Sequence, residues 1–96
     1  MSFESVLQRF DGEPDVERGT NWRSPGLRRN RKIFVMLVDG EFVVKLPAAR
    51  CEEIVDAGHG RPFTSGKRTM REWVVVDEAR SDDWVALAEE AYAFVG

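Results

Sequence analysis

Cys51 and His59 are the first candidates for chemistry, because a thiol beside an imidazole can act as a nucleophile with its base. Apolar residues at helical spacing place Cys51 on the inner face of a helix, and His59 follows in a glycine-flanked loop. We therefore interpret Cys51 as a core residue and His59 as a solvent-exposed one. One cysteine and one histidine make no zinc-type ligand cluster, so we predict no metal and no cofactor.

Adjacent carboxylates occur at Glu52-Glu53, Asp82-Asp83 and Glu89-Glu90. Two carboxylates can share general acid and base catalysis, but only when they face a common point. Neighbouring residues on a helix do not face each other, so these pairs are typical of solvated helix faces and of a helix N-terminus. No catalytic motif emerges, and we predict that the protein is not an enzyme.

Positive charge is concentrated in the middle of the chain. Residues 18–71 carry 12 Lys and Arg against 5 Asp and Glu, whereas the two ends are acidic and the whole chain has a net charge of −3. Segments 23–32 and 61–71 contain five and four positive charges and no acid. The candidate nucleic-acid or anion contacts in them are Arg28, Arg29, Arg31, Lys32, Lys67, Arg68 and Arg71.

Two interpretations of these basic segments stay open. With Trp22 and Trp73 nearby, they could form a phosphate-binding patch with stacking aromatics. Alternatively, they are solvated loops whose charges pair with the acidic ends. A pI near 5.2 favours the second interpretation, since dedicated nucleic-acid-binding domains usually have a pI above about 9.

The elements that position these residues follow from periodicity and turn signals. Apolar residues at i, i+3, i+4 and i+7 predict a helix over 3–10, and a short edge strand is predicted over Val16 to Trp22, before a turn at Ser24 to Gly26. Pro47 opens a second helix that ends near Gly58.

The second half of the chain is predicted in the same way. The loop after Gly58 includes a short strand at Arg61 to Thr64, and Met70 to Val76 is a strand. Ser81 is predicted to cap a last helix, whose buried stripe is Trp84, Leu87, Ala88, Ala91 and Val95. The fold class is α+β, with three helices packed in two layers on a mainly antiparallel sheet.

The run KIFVMLVDGEFVVKLP contains a hairpin around Asp39-Gly40, a strong two-residue turn signal. Its register gives a core face of Ile33, Val35, Leu37, Phe42, Val44 and Leu46. The second face collects Lys32, Phe34, Met36, Val38, Glu41, Val43 and Lys45. Phe34, Met36 and Val43 on that face either lie under another element of the chain or form an interface, for example in a homodimer.

The 96 residues predict a single domain over residues 1–96. One cysteine excludes an internal disulfide, and the N-terminus has no apolar run of signal-peptide length. The longest apolar run is six residues, far shorter than a membrane span. We expect a cytoplasmic protein that does not enter a membrane.

Several short motifs resemble the TfoX N-terminal domain group and the related MmcQ/YjbR-like proteins. The resemblance extends from about Phe3 to Val95. Its most telling pieces are Gly26-Leu27, Lys32-Ile33-Phe34, Leu46-Pro47, Arg61-Pro62-Phe63, Met70 and Glu72-Trp73. At Arg31, similar sequences tend to carry Gly, and the C-terminal helical domain of full TfoX proteins does not follow within these 96 residues.

The resemblance implies a secretion-chaperone-like α+β domain that is often dimeric. It also implies relatives among competence regulators and proteins labelled DNA-binding, and it supplies no catalytic residues. We therefore expect a non-enzymatic protein-binding or regulatory module. The alternative is DNA binding through segments 23–32 and 61–71.

Overall fold

Helices and strands alternate along the chain in the order that the hydrophobic periodicity predicts. The computed structural model describes residues 3–19 and 25–96. Its helices are α1 (Phe3–Arg9), α2 (Ala48–Asp56) and α3 (Trp84–Val95), the last preceded by a 3-10 segment (Glu78–Asp83). Its strands are β1 (Val16–Arg18), β2 (Gly26–Arg29), β3 (Lys32–Val38), β4 (Glu41–Lys45), β5 (Gly60–Ser65) and β6 (Arg68–Val76).

The strands form one antiparallel sheet in the order β1-β2-β3-β4-β6-β5. Asp39-Gly40 joins β3 to β4 with φ values of 50° and 80°, the positive values that a type I′ turn needs. The predicted register is confirmed, since Val38 lies opposite Glu41 and Val35 opposite Val44.

All three helices pack on one face of this sheet. The ring of Phe42 on β4 stacks on Trp84 of α3 with centroids 4.6 Å apart, and Ile54 of α2 joins the same core cluster. The predicted stripe of α3 is confirmed, because Trp84, Leu87, Ala88, Ala91 and Val95 are all buried. This arrangement is the predicted two-layer α+β fold.

The predicted position of Phe34 on the second face of the hairpin is wrong. Phe34 is fully buried in the core, with its ring centroid 5.3 Å from that of Phe10 and 5.8 Å from that of Tyr92. The cause is a β-bulge: Leu27 pairs with Val35 but Arg28 pairs with Ile33, which leaves Phe34 as the extra residue. A bulge redirects its side chains, and here it sends Phe34 towards the helices.

The second face of the sheet contains one transverse row that crosses five strands. The row consists of Gly26, Met36, Val43, Val75 and Arg61. Val43 lies on this face as predicted, but it has no exposed surface and stands outside the core cluster that the helices join. Of the three predicted interface residues, only Met36 is partly exposed.

The two basic segments lie on hairpins rather than in loops. β2 was not predicted, and Arg29 pairs with Lys32 across a two-residue turn. β5 is longer than predicted, β6 begins at Arg68 rather than Met70, and Gly66-Lys67 forms the turn between them. β1 confirms the start of the predicted edge strand, whereas Trp22, Arg23 and Ser24 lie outside the described residues.

The predicted cap of the last helix is also wrong. Ser81 lies inside the 3-10 segment, and its carbonyl, rather than its hydroxyl, accepts a hydrogen bond from the N–H of Trp84. The N-cap residue of α3 is Asp83, which makes no side-chain capping bond. The acidic pair Asp82-Asp83 therefore precedes the helix in a tight turn.

Candidate functional site

Both basic turns lie at the same end of the sheet. Antiparallel strands alternate in direction, so the start of β3, the end of β4 and the start of β6 meet at one end. The turn at Asn30-Arg31 joins β2 to β3, and the turn at Gly66-Lys67 joins β5 to β6. With strands about 4.8 Å apart, the two turns are separated by roughly 14 Å across the sheet, and the Gly66-Lys67 turn extends further along the strand direction. We call this the basic end; its cations are Arg31, Lys32, Lys45, Lys67, Arg68 and Arg71.

Two of the seven predicted nucleic-acid contacts, Arg28 and Arg29, form ion pairs with other residues of the domain. Nε of Arg29 donates to Oδ2 of Asp15 at 2.8 Å, and its guanidinium also donates to the backbone carbonyl of Tyr92 at 2.8 Å. The same guanidinium lies 4.0 Å from the centroid of the Tyr92 ring. Arg28 pairs with Glu17 at 3.3 Å. These arginines tie β2 to its neighbours, which is a structural role.

Asp15 is the centre of this ion cluster. The Tyr92 hydroxyl lies 2.9 Å from both carboxylate oxygens, and this hydrogen bond, together with Arg29, lowers the pKa of Asp15 below its ordinary value. The same hydrogen bond and partial burial raise the pKa of Tyr92. The cluster joins the segment before β1, strand β2 and helix α3 through charged contacts that persist at neutral pH.

The other five predicted contacts remain exposed at the basic end. They are Arg31, Lys32, Lys67, Arg68 and Arg71. In residues 3–19 and 25–96, none of the five forms an ion pair. By contrast, Arg61 pairs with Glu41 towards the opposite end of the sheet, and Arg80 pairs with Asp83 beyond the end of β6.

Arg31 has a backbone conformation that side chains rarely adopt. Its φ is 73° and that of Asn30 is 49°, so the β2–β3 turn is of the type I′ kind. Such a turn favours Asn followed by Gly, because glycine has no Cβ to clash at positive φ. The arginine at this position therefore lowers the local stability of the turn, and it places a positive charge at the tip of the hairpin.

A groove opens at the basic end between the start of α2 and the bent first half of β6. Pro62 pairs with Val74 but Phe63 pairs with Met70, so three residues of β6, 71–73, have no partner on β5. The groove has a volume of about 630 Å³. It is lined by Lys45, Ala48, Arg68, Thr69, Met70, Arg71, Glu72 and Trp73.

Three cations and one acid, Glu72, line this groove. The Nζ atom of Lys45 lies 5.5 Å from the centroid of the partly exposed Trp73 ring. The sequence indicated Trp73 as a nearby aromatic but missed Lys45 as a site residue. The predicted hairpin register already places Lys45 at the end of β4, so the sequence could have indicated it. In the structure, Lys45 pairs with Trp73 on β6.

Cys51 and His59 make no hydrogen bond to each other in the part of the chain that the structure describes. The Cys51 thiol is buried, donates to the backbone carbonyl of Leu46 at 3.5 Å, and has its pKa raised by burial. His59 is partly buried, which corrects its prediction as solvent-exposed, and its backbone bonds to Ile54 and Asp77. Within the described part of the chain, no three His, Cys, Asp or Glu residues are grouped to hold a metal ion.

The adjacent carboxylates lie on the surface, and several of them pair with arginines. Glu90 pairs with Arg50 at 3.0 Å, and Glu53 pairs with the same arginine at 3.4 Å. Glu89 pairs with Arg9 at 2.8 Å. The contacts of Glu90 and Glu89 link α2 and α1 to α3, and all three pairs match the prediction of solvated helix faces.

Comparison with protein-family models, with curated proteins and with solved structures finds no match to this chain. Among the described helices, none is long and apolar enough to cross a membrane.

Proposed function

We propose that this domain is a non-enzymatic binding module that binds nucleic acid through the basic end of its sheet. One observation carries the proposal: five exposed cations, none of them in an ion pair with a described residue, lie at one end of the sheet. Unpaired Lys and Arg side chains attract phosphates and release the counterions condensed on a nucleic acid. A relation to TfoX N-terminal proteins, which the sequence motifs suggest but no family model matches, would agree with the same proposal.

The acidic pI does not argue against this function. Charges are screened over about 8 Å at physiological ionic strength. The molecule is 34 Å long, and acids such as Glu78 and Asp82 lie beyond the far end of β6. A phosphate at the basic end therefore interacts mainly with local charges rather than with the net charge of −3.

The experiment is fluorescence anisotropy of labelled oligo(dT) and of a labelled duplex. Five cations that each displace one counterion give a salt slope of about −3.5 for a single strand, or a fall of about 50-fold between about 50 and about 150 mM salt. The triple variant Arg31→Ala/Arg68→Ala/Arg71→Ala keeps two of the five. Its affinity should be lower, and it should fall only about fivefold over the same range.

The matched control is Arg18→Ala/Arg61→Ala/Arg80→Ala, which removes the same charge from other parts of the surface. It should keep a salt dependence close to that of the wild type. If the two triple variants lose affinity by the same factor, binding responds to net charge alone and the basic end is not the binding surface. If the wild type does not bind at low salt, the proposed function is rejected.

The second candidate is protein binding in the form of a homodimer through the second face of the sheet. It is favoured because the helices pack on the opposite face, while Met36 and Val38 stay partly exposed. Light scattering would test it: Met36→Glu should shift a dimer towards the monomer without loss of secondary structure. An unchanged mass for this folded variant would reject this interface.

A further inference from the structure

The groove at the basic end combines positive charge with an aromatic ring. Its guanidinium and ammonium groups come from Arg68, Arg71 and Lys45, and its ring is that of Trp73. Thr69 adds a hydroxyl that can donate a hydrogen bond to an anion. Phosphate and an aromatic base are the two parts of a nucleotide that such a set recognises, through charge-assisted hydrogen bonds and through stacking.

The three extra residues of β6 create this geometry. Residues 71–73 bow away from β5, while Leu46 still bonds to the carbonyl of Glu72 and Lys45 still pairs with Trp73. The bow therefore widens the space beside α2 without releasing β6 from β4. Bulges that redirect side chains are common beside functional sites.

The position of Trp73 favours an unpaired base. Bases inside a duplex are stacked and paired, and most contacts to a duplex go to its phosphates and sugars. A ring inside a groove can stack only on a base that has left its own stack, as bases in single strands can. The exposed cations, by contrast, can contact the phosphates of either form.

We infer that the groove between α2 and β6 is a single-strand subsite, in which Arg68 and Arg71 hold a phosphate and Trp73 stacks on the neighbouring base. This inference rests on the proposed nucleic-acid function and adds a preference for single strands over duplexes. Lys45 positions the ring, since its ammonium group lies 5.5 Å from the ring centroid on one side and the base would stack on the opposite ring face.

The test compares oligo(dT) with a duplex of the same length at about 150 mM salt. Trp73→Leu removes the stacking ring and keeps apolar volume, and Trp73→Phe keeps a ring. Wild type should prefer oligo(dT). Trp73→Leu should lose about tenfold in affinity for oligo(dT) while its duplex affinity stays the same, and Trp73→Phe should retain most of the single-strand affinity.

The outcomes separate the subsite from the function on which it rests. Unchanged duplex binding by Trp73→Leu also shows that this variant is folded. The subsite is rejected if Trp73→Leu binds oligo(dT) with the affinity of the wild type. It is also rejected if both tryptophan variants lose affinity for oligo(dT) and for the duplex by the same factor. In either case the basic end can still bind nucleic acid. If the wild type binds neither ligand even at low salt, the proposed function itself fails, and the subsite fails with it. A competition experiment gives a further check, in which inorganic phosphate and thymidine monophosphate each displace labelled oligo(dT). If the two compounds are equally effective, the thymine base adds nothing to binding, and stacking on Trp73 is rejected.

Discussion

Arg31 joins backbone strain and positive charge in one residue. A non-glycine residue in the left-handed region costs on the order of 1 kcal/mol, and such a residue often has a role that offsets this cost. Arg31 is exposed, and the described structure gives it no ion pair that would explain its presence. Contact with a phosphate would explain it.

Arg31→Gly should therefore separate stability from binding. Because glycine fits a φ of 73° without a steric clash, we expect the free energy of unfolding in urea to stay the same or to rise by about 1 kcal/mol. The salt slope for oligo(dT) should become shallower by about 0.7. Full affinity with an unchanged slope would show that Arg31 does not contact the nucleic acid.

Residue type alone could not separate structural from exposed arginines. Arg29 belongs to the same run of basic residues as Arg31, yet its partners Asp15 and Tyr92 lie 14 and 63 residues away in sequence. Such contacts depend on the tertiary fold. Cys51 was easier to predict, because helical periodicity alone places it on the buried face of α2.

At the scale of elements, the bulge in β3 decides what the second face of the sheet presents. It moves Phe34 into the aromatic cluster with Phe10 and Tyr92, and Met36 remains on the second face. The side chain of Phe34 therefore packs against the helices, although strict alternation along β3 would place it on the opposite face of the sheet.

Phe34→Ala should be far more destabilising than Met36→Ala. Removal of a fully buried phenylalanine costs about 3–5 kcal/mol, because both transfer free energy and packing are lost. Met36 is partly exposed, and its truncation should cost about 1 kcal/mol or less. Urea unfolding of both variants would check this, and similar small losses would place Phe34 outside the core.

The elements with strong periodicity could be predicted, whereas strand β2 was missed and β5 was predicted too short. The β3–β4 hairpin and the stripe of α3 combine apolar periodicity with clear turn or spacing signals. β2 and β5 are short, rich in charge or turn residues, and held largely by pairing with a neighbour. The bulges at Phe34 and at residues 71–73 depend on packing between layers, so no local pattern shows them.

At the scale of the whole molecule, charge is separated between the basic end of the sheet and the acidic surfaces elsewhere. The acids of the helix layer pair with Arg9 and Arg50, while five of the six cations of the basic end are exposed to solvent. This separation lets a chain with a net charge of −3 attract a polyanion at one place and orient it there.

Binding at the basic end can be mapped directly from ¹H–¹⁵N correlation spectra recorded during titration with oligo(dT). Amide shifts should concentrate at Arg31, Lys32 and residues 67–73. The amides of Asp39, Glu41 and Arg80, at or beyond the opposite end, should stay in place. Shifts centred on Met36 and Val38, or no shifts at a salt concentration where anisotropy reports binding, would contradict the assignment of the basic end as the binding surface.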